Sequence, residues 1–228
     1  MKRRFPERLS GLIISLMCLL VASTGYALNP LEDKNGWQLL SYSSIPPNQV
    51  EIENGEMIIA VNQSASPIIY PFQKPLAVSE ISLDIRVIGQ LQGMASAQGE
   101  KGADDFLFRL GLVYEGEQTQ NIFQRAIAAD WVKTLFALAP AGTGVDHIAF
   151  FNLFTDPQLE GKQRVHPASD LLHESFVLQA EDGETQLFRI QPDSDRKVLA
   201  LWISSDGDDT GSAFTVRLNN FQVRTVSP

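Results

Sequence analysis

Apolar and polar residues alternate with a period of two along much of this chain. The alternation is unbroken where Ile81, Leu83, Ile85 and Val87 are interleaved with Ser82, Asp84 and Arg86, which predicts a strand with one face in a core and the other in water. Shorter runs of the same type, punctuated by turn residues, recur at 37–42, 50–53, 56–61, 106–115, 147–154, 174–179, 186–191, 198–204 and 213–224. Asn54-Gly55 between the second and third runs is a strong hairpin signal, because a two-residue turn of that kind needs positive φ at both positions. In the last run the apolar parity moves from Phe214, Val216 and Leu218 to Phe221 and Val223, which predicts a bulge near Asn219 and Asn220. One segment changes period: Ile122, Phe123, Ala126, Ile127, Trp131, Leu135 and Leu138 recur at helical spacing, ended by Pro140 and Gly142. The expected fold is therefore mainly β, a two-layer antiparallel β-sandwich of jelly-roll type. One amphipathic helix near 118–139 would cover a sheet or an open end. The segments 91–103 and 155–171 read as long loops.

The amino terminus follows a different rule. Lys2, Arg3, Arg4 and Arg8 supply a positive start, and an apolar run over 9–22 follows that is too short to span a bilayer. Small residues at Gly25 and Ala27 place a signal-peptidase site after Ala27. The expectation is a cleaved signal peptide over 1–27 and a single β-sandwich domain over 28–228, periplasmic or secreted, with no stable membrane insertion after cleavage. Cys18 is the only cysteine, so the mature chain has no thiol, no disulfide and no zinc-thiolate site, and its core alone must hold it together. Cleavage changes the charge as well, leaving 14 basic against 26 acidic residues and a net charge of −12. A surface of that sign repels phosphate backbones and anionic headgroups, which argues against nucleic acid as a partner and leaves cations or neutral ligands.

The densest local chemistry is Ser204, Ser205, Asp206, Gly207, Asp208, Asp209, Thr210, Gly211 and Ser212. Carboxylates, a hydroxyl and glycines at this spacing can wrap oxygen atoms around Ca2+. Asp206, Asp208, Thr210 and Gly211 match the first half of an EF-hand loop, but Arg217 stands where its bidentate glutamate belongs. A metal set of Asp206, Asp208, Asp209 and Thr210, completed by Asp104 and Asp105 from another loop, is one expectation. The other is a strand-to-strand turn in which Asp and Gly supply turn geometry. Strand parity suggests a second constellation: Asp84, Arg86, Arg109 and Arg217 all point away from their apolar rows. If those faces belonged to one sheet they would form a polar concave surface for a sugar or acidic metabolite, with Trp131 or Trp202 as a stacking plane. Either arginine face could equally be neutralised by a neighbouring carboxylate. His147, His166, His173 and Glu174 lack the spacing of a metalloenzyme motif, and no serine elbow or phosphate-cradling glycine loop appears.

The run 102–106 together with Phe108, Arg109, Leu110 and Gly111, the segments 129–132 and 150–152, and above all 200–210 are similar to an uncharacterised family of exported bacterial proteins classed as a domain of unknown function. The resemblance spans 36–223. It implies an extracytoplasmic sandwich and assigns no chemistry. The leading functional expectation is a non-catalytic envelope protein that binds a carbohydrate-like or other small polar ligand. A periplasmic glycan hydrolase using paired carboxylates, or an envelope assembly component, are the alternatives.

Overall fold

The computed structural model describes residues 25–93, 96–119, 130–167 and 169–226, the side chains of residues 130 and 131 excepted. Among the described residues twelve strands, numbered in chain order, are joined by hydrogen bonds: nine form one path that folds back on itself, and three branch from it. The fold-back lies in the longest of them, β5 (Ile68–Ile88). Its first half, through Ala77, pairs with β11 (Lys197–Ser204), and its second half, from Val78, pairs with β12 (Ala213–Thr225) and β10 (Thr185–Ile190). The strand thus belongs to both layers.

In the first layer β3 (Gln49–Glu53), β4 (Glu56–Asn62), β12, β5 and β10 lie side by side, with β1 (Ala27–Leu28) added along β12. The second layer runs β2 (Gln38–Leu39), β5, β11, β6 (Phe108–Gly116), β7 (Gly144–Phe154), β9 (Leu172–Gln179) and β8 (Gln163–Val165). The predicted runs become strands, with ends displaced by up to three residues. Exceptions are the first, of which only Gln38–Leu39 pairs, and the unforeseen first half of β5, which contains Pro71 and Pro75. Proline lacks the ladder N–H, which obscures the strand pattern of this segment. The β7–β9 pair is parallel, whereas every other strand pair among the described residues is antiparallel.

Turn chemistry is realised where it was expected. Asn54 and Gly55 take φ of 53° and 76°, as a type I′ hairpin requires. The register of β12 against β5 slips between Asn219 and Gln222, where Asn220 sits at φ 52° and donates to Asp84 through its Nδ2 at 2.7 Å. Ile81, Leu83, Ile85 and Val87 point inward with Val216 and Leu218, and pack against Leu110, Leu112, Leu201 and Ile203 of the second layer. Each such side chain contributes roughly 1.5–3 kcal/mol when fully buried.

The second layer is also covered on its outer side. Ile69, Val113, Ile148, Phe150, Ala200 and Trp202 form a second apolar cluster there, closed in part by Leu135 of α1 (Asp130–Ala137). The expected helix therefore exists at its carboxyl end and covers a sheet face. Its expected first half, 120–129, lies outside the described residues. No helix among the described residues is long and apolar enough to cross a membrane.

Candidate functional site

Alternation along β6 sends Phe108, Leu110 and Leu112 into the sandwich core, and Arg109, Gly111 and Val113 to the outer face of the second layer. Gly111 leaves room there for a neighbour: a Cβ at this position would lie 2.8 Å from the Phe150 ring. Phe150 fills that space and meets Trp202 edge-on at 6.0 Å. Trp202 is the β11 residue opposite Gly111, and Ser204 is the one opposite Arg109.

Arg109 is the centre of the site. Its side chain is 9% exposed and faces three carboxylates, Asp104 at 3.3 Å, Asp206 at 3.3 Å and Glu174 at 3.8 Å. It also donates to the Asp104 carbonyl and lies 4.3 Å above the Phe106 ring. Glu174 is wholly enclosed and accepts from Asn152 Nδ2 at 2.9 Å and Arg164 Nε at 2.6 Å. His166 Nε2 completes the ring, 2.8 Å from Asp104. Buried charges are tolerated when they are paired and hydrogen-bonded in this way.

Two of the three carboxylates around Arg109 are driven in opposite directions. Burial pushes Asp104 up, but its hydrogen bond to His166 and the guanidiniums of Arg109 and Arg164 outweigh this and hold it below the ordinary carboxylate range. Burial pushes Asp206 up to about 7, with Asp105, Asp208 and Asp104 adding to the effect against the opposing pull of Arg109. Asp208 is raised by its own burial and by Asp105, and Tyr42 is raised by burial and by Asp206.

The two acidic loops are stitched together by their own donors. Asp105 accepts from the Thr210 N–H at 2.7 Å, the Thr210 hydroxyl at 2.6 Å and the Asp209 N–H at 3.3 Å. Asp209 in turn accepts from the Asp104 N–H at 3.2 Å. Gly207 is needed for space, since a Cβ would lie 2.8 Å from Val61. Above this framework opens a cavity of about 270 Å³. Phe150, Trp202 and Leu172 give it apolar surface, Arg109, Asp104, Asp206 and His166 give it charge, and Tyr42, Asp208 and Asp209 also border it.

Asp104, Asp105, Asp206, Asp208, Asp209 and Arg109 thus converge, although they come from distant parts of the chain. The polar face imagined for the arginines divides between the layers. Asp84, Arg86 and Arg217 lie on strands of the first layer, where Arg217 stands opposite Arg86 and reaches Glu56 at 3.6 Å. Arg109 belongs to the second layer. Trp131 lies on α1, and its side chain is outside the described residues. Tyr42, Asn152 and Arg164 belong to the site without having been singled out. No chemical motif singles them out, and strand pairing brings Asn152 opposite Arg109.

Asp104, His166 and Glu174 offer ligand atoms within 4.8 Å of one another, the spacing of a metal set. The guanidiniums of Arg109 and Arg164 already reach both carboxylates. Two guanidiniums thus neutralise the carboxylates of this set, and both oxygens of Asp105 accept from loop donors. The donor set therefore fits an arginine-centred charge network better than a hard cation.

No family model matches the chain, and no curated protein does. Among solved structures it is similar to the family 11 carbohydrate-binding module of the cellulosomal cellulase Lic26A-Cel5E of Clostridium thermocellum, at 10% identity and a TM-score of 0.43, covering 89% of this chain and 95% of that one. It is also similar to the winged bean acidic lectin complexed with methyl-alpha-D-galactose, at 12% identity and a TM-score of 0.41, covering 89% of this chain and 99% of that one. These likenesses concern broad strand architecture alone.

Proposed function

We propose that this chain is a non-catalytic extracytoplasmic binding protein that seats a small polyhydroxylated ligand, about one sugar ring in size, in the cavity over Arg109. The observation that carries this reading is the composition of that one cavity. Carboxylate acceptors, a buried guanidinium and the rings of Phe150, Trp202 and Tyr42 border a space of about 270 Å³. Vicinal hydroxyls pair with carboxylates, and the C–H face of a sugar packs on aromatic rings. The volume is near the lower end of ordinary ligand cavities, which favours one ring over an extended chain. The signal-like amino terminus supports a location outside the cytoplasm.

A thermal-shift panel of monosaccharides, disaccharides and linear polyols tests the reading. A ligand at a hundredfold excess over its Kd stabilises by about 2.7 kcal/mol, which raises Tm by roughly 5–10 °C in a domain of this size. Asp208→Ala should reduce that rise. A panel in which no compound moves Tm would overturn the proposal.

A second reading is favoured by one observation. Asp104 and Asp206 share Arg109, yet their carboxyls are pushed apart, one held down and the other raised to about 7. Such a split is how hydrolases separate an acid from a base. In that case Asp206 would be the acid and Asp104 the base in cleaving a glycan. Release of reducing ends from polysaccharides by the unmodified protein, lost in Asp206→Asn while the thermal shift persists, would favour this reading over simple binding.

A further inference from the structure

The opposite face of β7, β8 and β9 carries a second recess, which meets the Arg109 network only at Arg164 and Glu174. Register places Ala149 beside His173, Phe151 beside Ser175, Val165 beside His173 and Gln163 beside Ser175, so these side chains share the inner side of the second layer. The first layer does not cover this flank: His173 and Gln163 are exposed, and Val165 is 51% exposed. The connection between β10 and β11 forms a wall, and the groove between has a volume of about 610 Å³.

Its chemistry differs from that of the acidic cavity. The imidazoles of His147 and His173 stack at 4.2 Å, 25° from parallel, and the Tyr114 ring adjoins His147 at 5.1 Å. Tyr114 is buried in the core, and the exposed His173 is the ring that this stack presents to the groove. Arg196 is matched by Asp146 at 2.6 Å, and Asp146 also engages His147 Nδ1 at 2.8 Å. Burial and the adjoining His173 hold His147 below its ordinary value, against the pull of Asp146. Gln163, Ser175 and Gln191 add hydrogen-bonding groups without charge.

The exposed His173 ring, beside uncharged donors and acceptors and Asp193, and with Arg196 and Arg164 each paired to a carboxylate, suits the ring faces and hydroxyls of a neutral sugar polymer. An anionic polymer is disfavoured by the net charge of −9. We propose that this groove binds a stretch of uncharged polysaccharide spanning more than one ring, as a site independent of the acidic cavity.

Affinity electrophoresis of the full chain through gels containing dextran, xylan, glucomannan or hydroxyethylcellulose tests this, with serum albumin as the unretarded reference. At least one polymer should retard the protein. The exposed positions allow a double variant, His173→Ala with Gln163→Ala, that keeps its circular dichroism and loses about tenfold in apparent affinity. Asp208→Asn in the acidic cavity should leave retardation unchanged, which separates failure here from failure of the cavity reading. Absence of retardation in all four gels, equal retardation of the double variant, or loss of retardation in Asp208→Asn instead would overturn the proposal.

Discussion

Asp206 shows how one side chain can make stability depend on pH. Its carboxyl is pushed up to about 7 by burial, whereas an unfolded chain leaves aspartate near 3.9. Between those limits the folded state holds a proton that the unfolded state has released. The stabilisation from this group is therefore full below about 3.9 and is lost as pH rises through about 7, with an upper magnitude of about 4 kcal/mol. Asp104 and Asp146, both held down, act with the opposite sign and lose their contribution only as pH falls below the ordinary aspartate range. His147, also held down, adds stability as pH rises towards 6.5, so the effect of Asp206 is read as a difference between two proteins. Urea midpoints should fall more steeply from pH 5 to pH 8 in the unmodified protein than in Asp206→Asn. Parallel curves would show that Asp206 titrates normally. At this scale the sequence was partly legible. The aspartates of 206–209 and the pair at 104–105 stood out by density, and their convergence was foreseen. Their partner Arg109 was assigned to another surface, because nothing local says which strands are neighbours.

The element that fixes the cavity is the β6–β7 pair, and its critical residue has no side chain. Gly111 lets Phe150 lie across β6, and an added Cβ would also come within 2.9 Å of Ile148. Gly111→Ala should cost about 1–3 kcal/mol through overpacking and displace Phe150. Urea denaturation gives the first quantity, and the near-ultraviolet dichroism of Trp202 and its aromatic neighbour reports the second. A neutral, spectroscopically silent substitution would mean that the pair repacks freely. Period-two patterning located β6 and β7 from their residues alone, and Asn54-Gly55 and the parity change at Asn219 located a turn and a bulge. The first half of β5 escaped notice because Pro71 and Pro75 obscure its pattern. The parallel β7–β9 pairing escaped too, because alternation reveals faces and not directions.

For the molecule as a whole, the question raised by its acidity is whether an ion is needed to hold it together. The acidic loops are fastened by the Thr210 hydroxyl, by backbone N–H groups and by Arg109. If these donors replace an ion, excess calcium and excess chelator should give melting temperatures within about 1 °C of each other, since only a ligand that binds the folded state stabilises it. A calcium-dependent rise, removed by Asp206→Asn, would restore the metal reading of that loop. The mainly β architecture and the helix on a sheet face followed from patterning. The division of Arg86 and Arg217 from Arg109 did not, because layer membership is decided by long-range pairing.

The strand that crosses between the layers has one more effect. Because Ile68–Ile88 carries the ladder of both sheets, neither sheet is a module that evolution or an engineer could lift out, exchange or cut free. Loosening that strand at one end withdraws backbone partners from the other, so the acidic cavity and the far edge of the sandwich should melt as one cooperative unit.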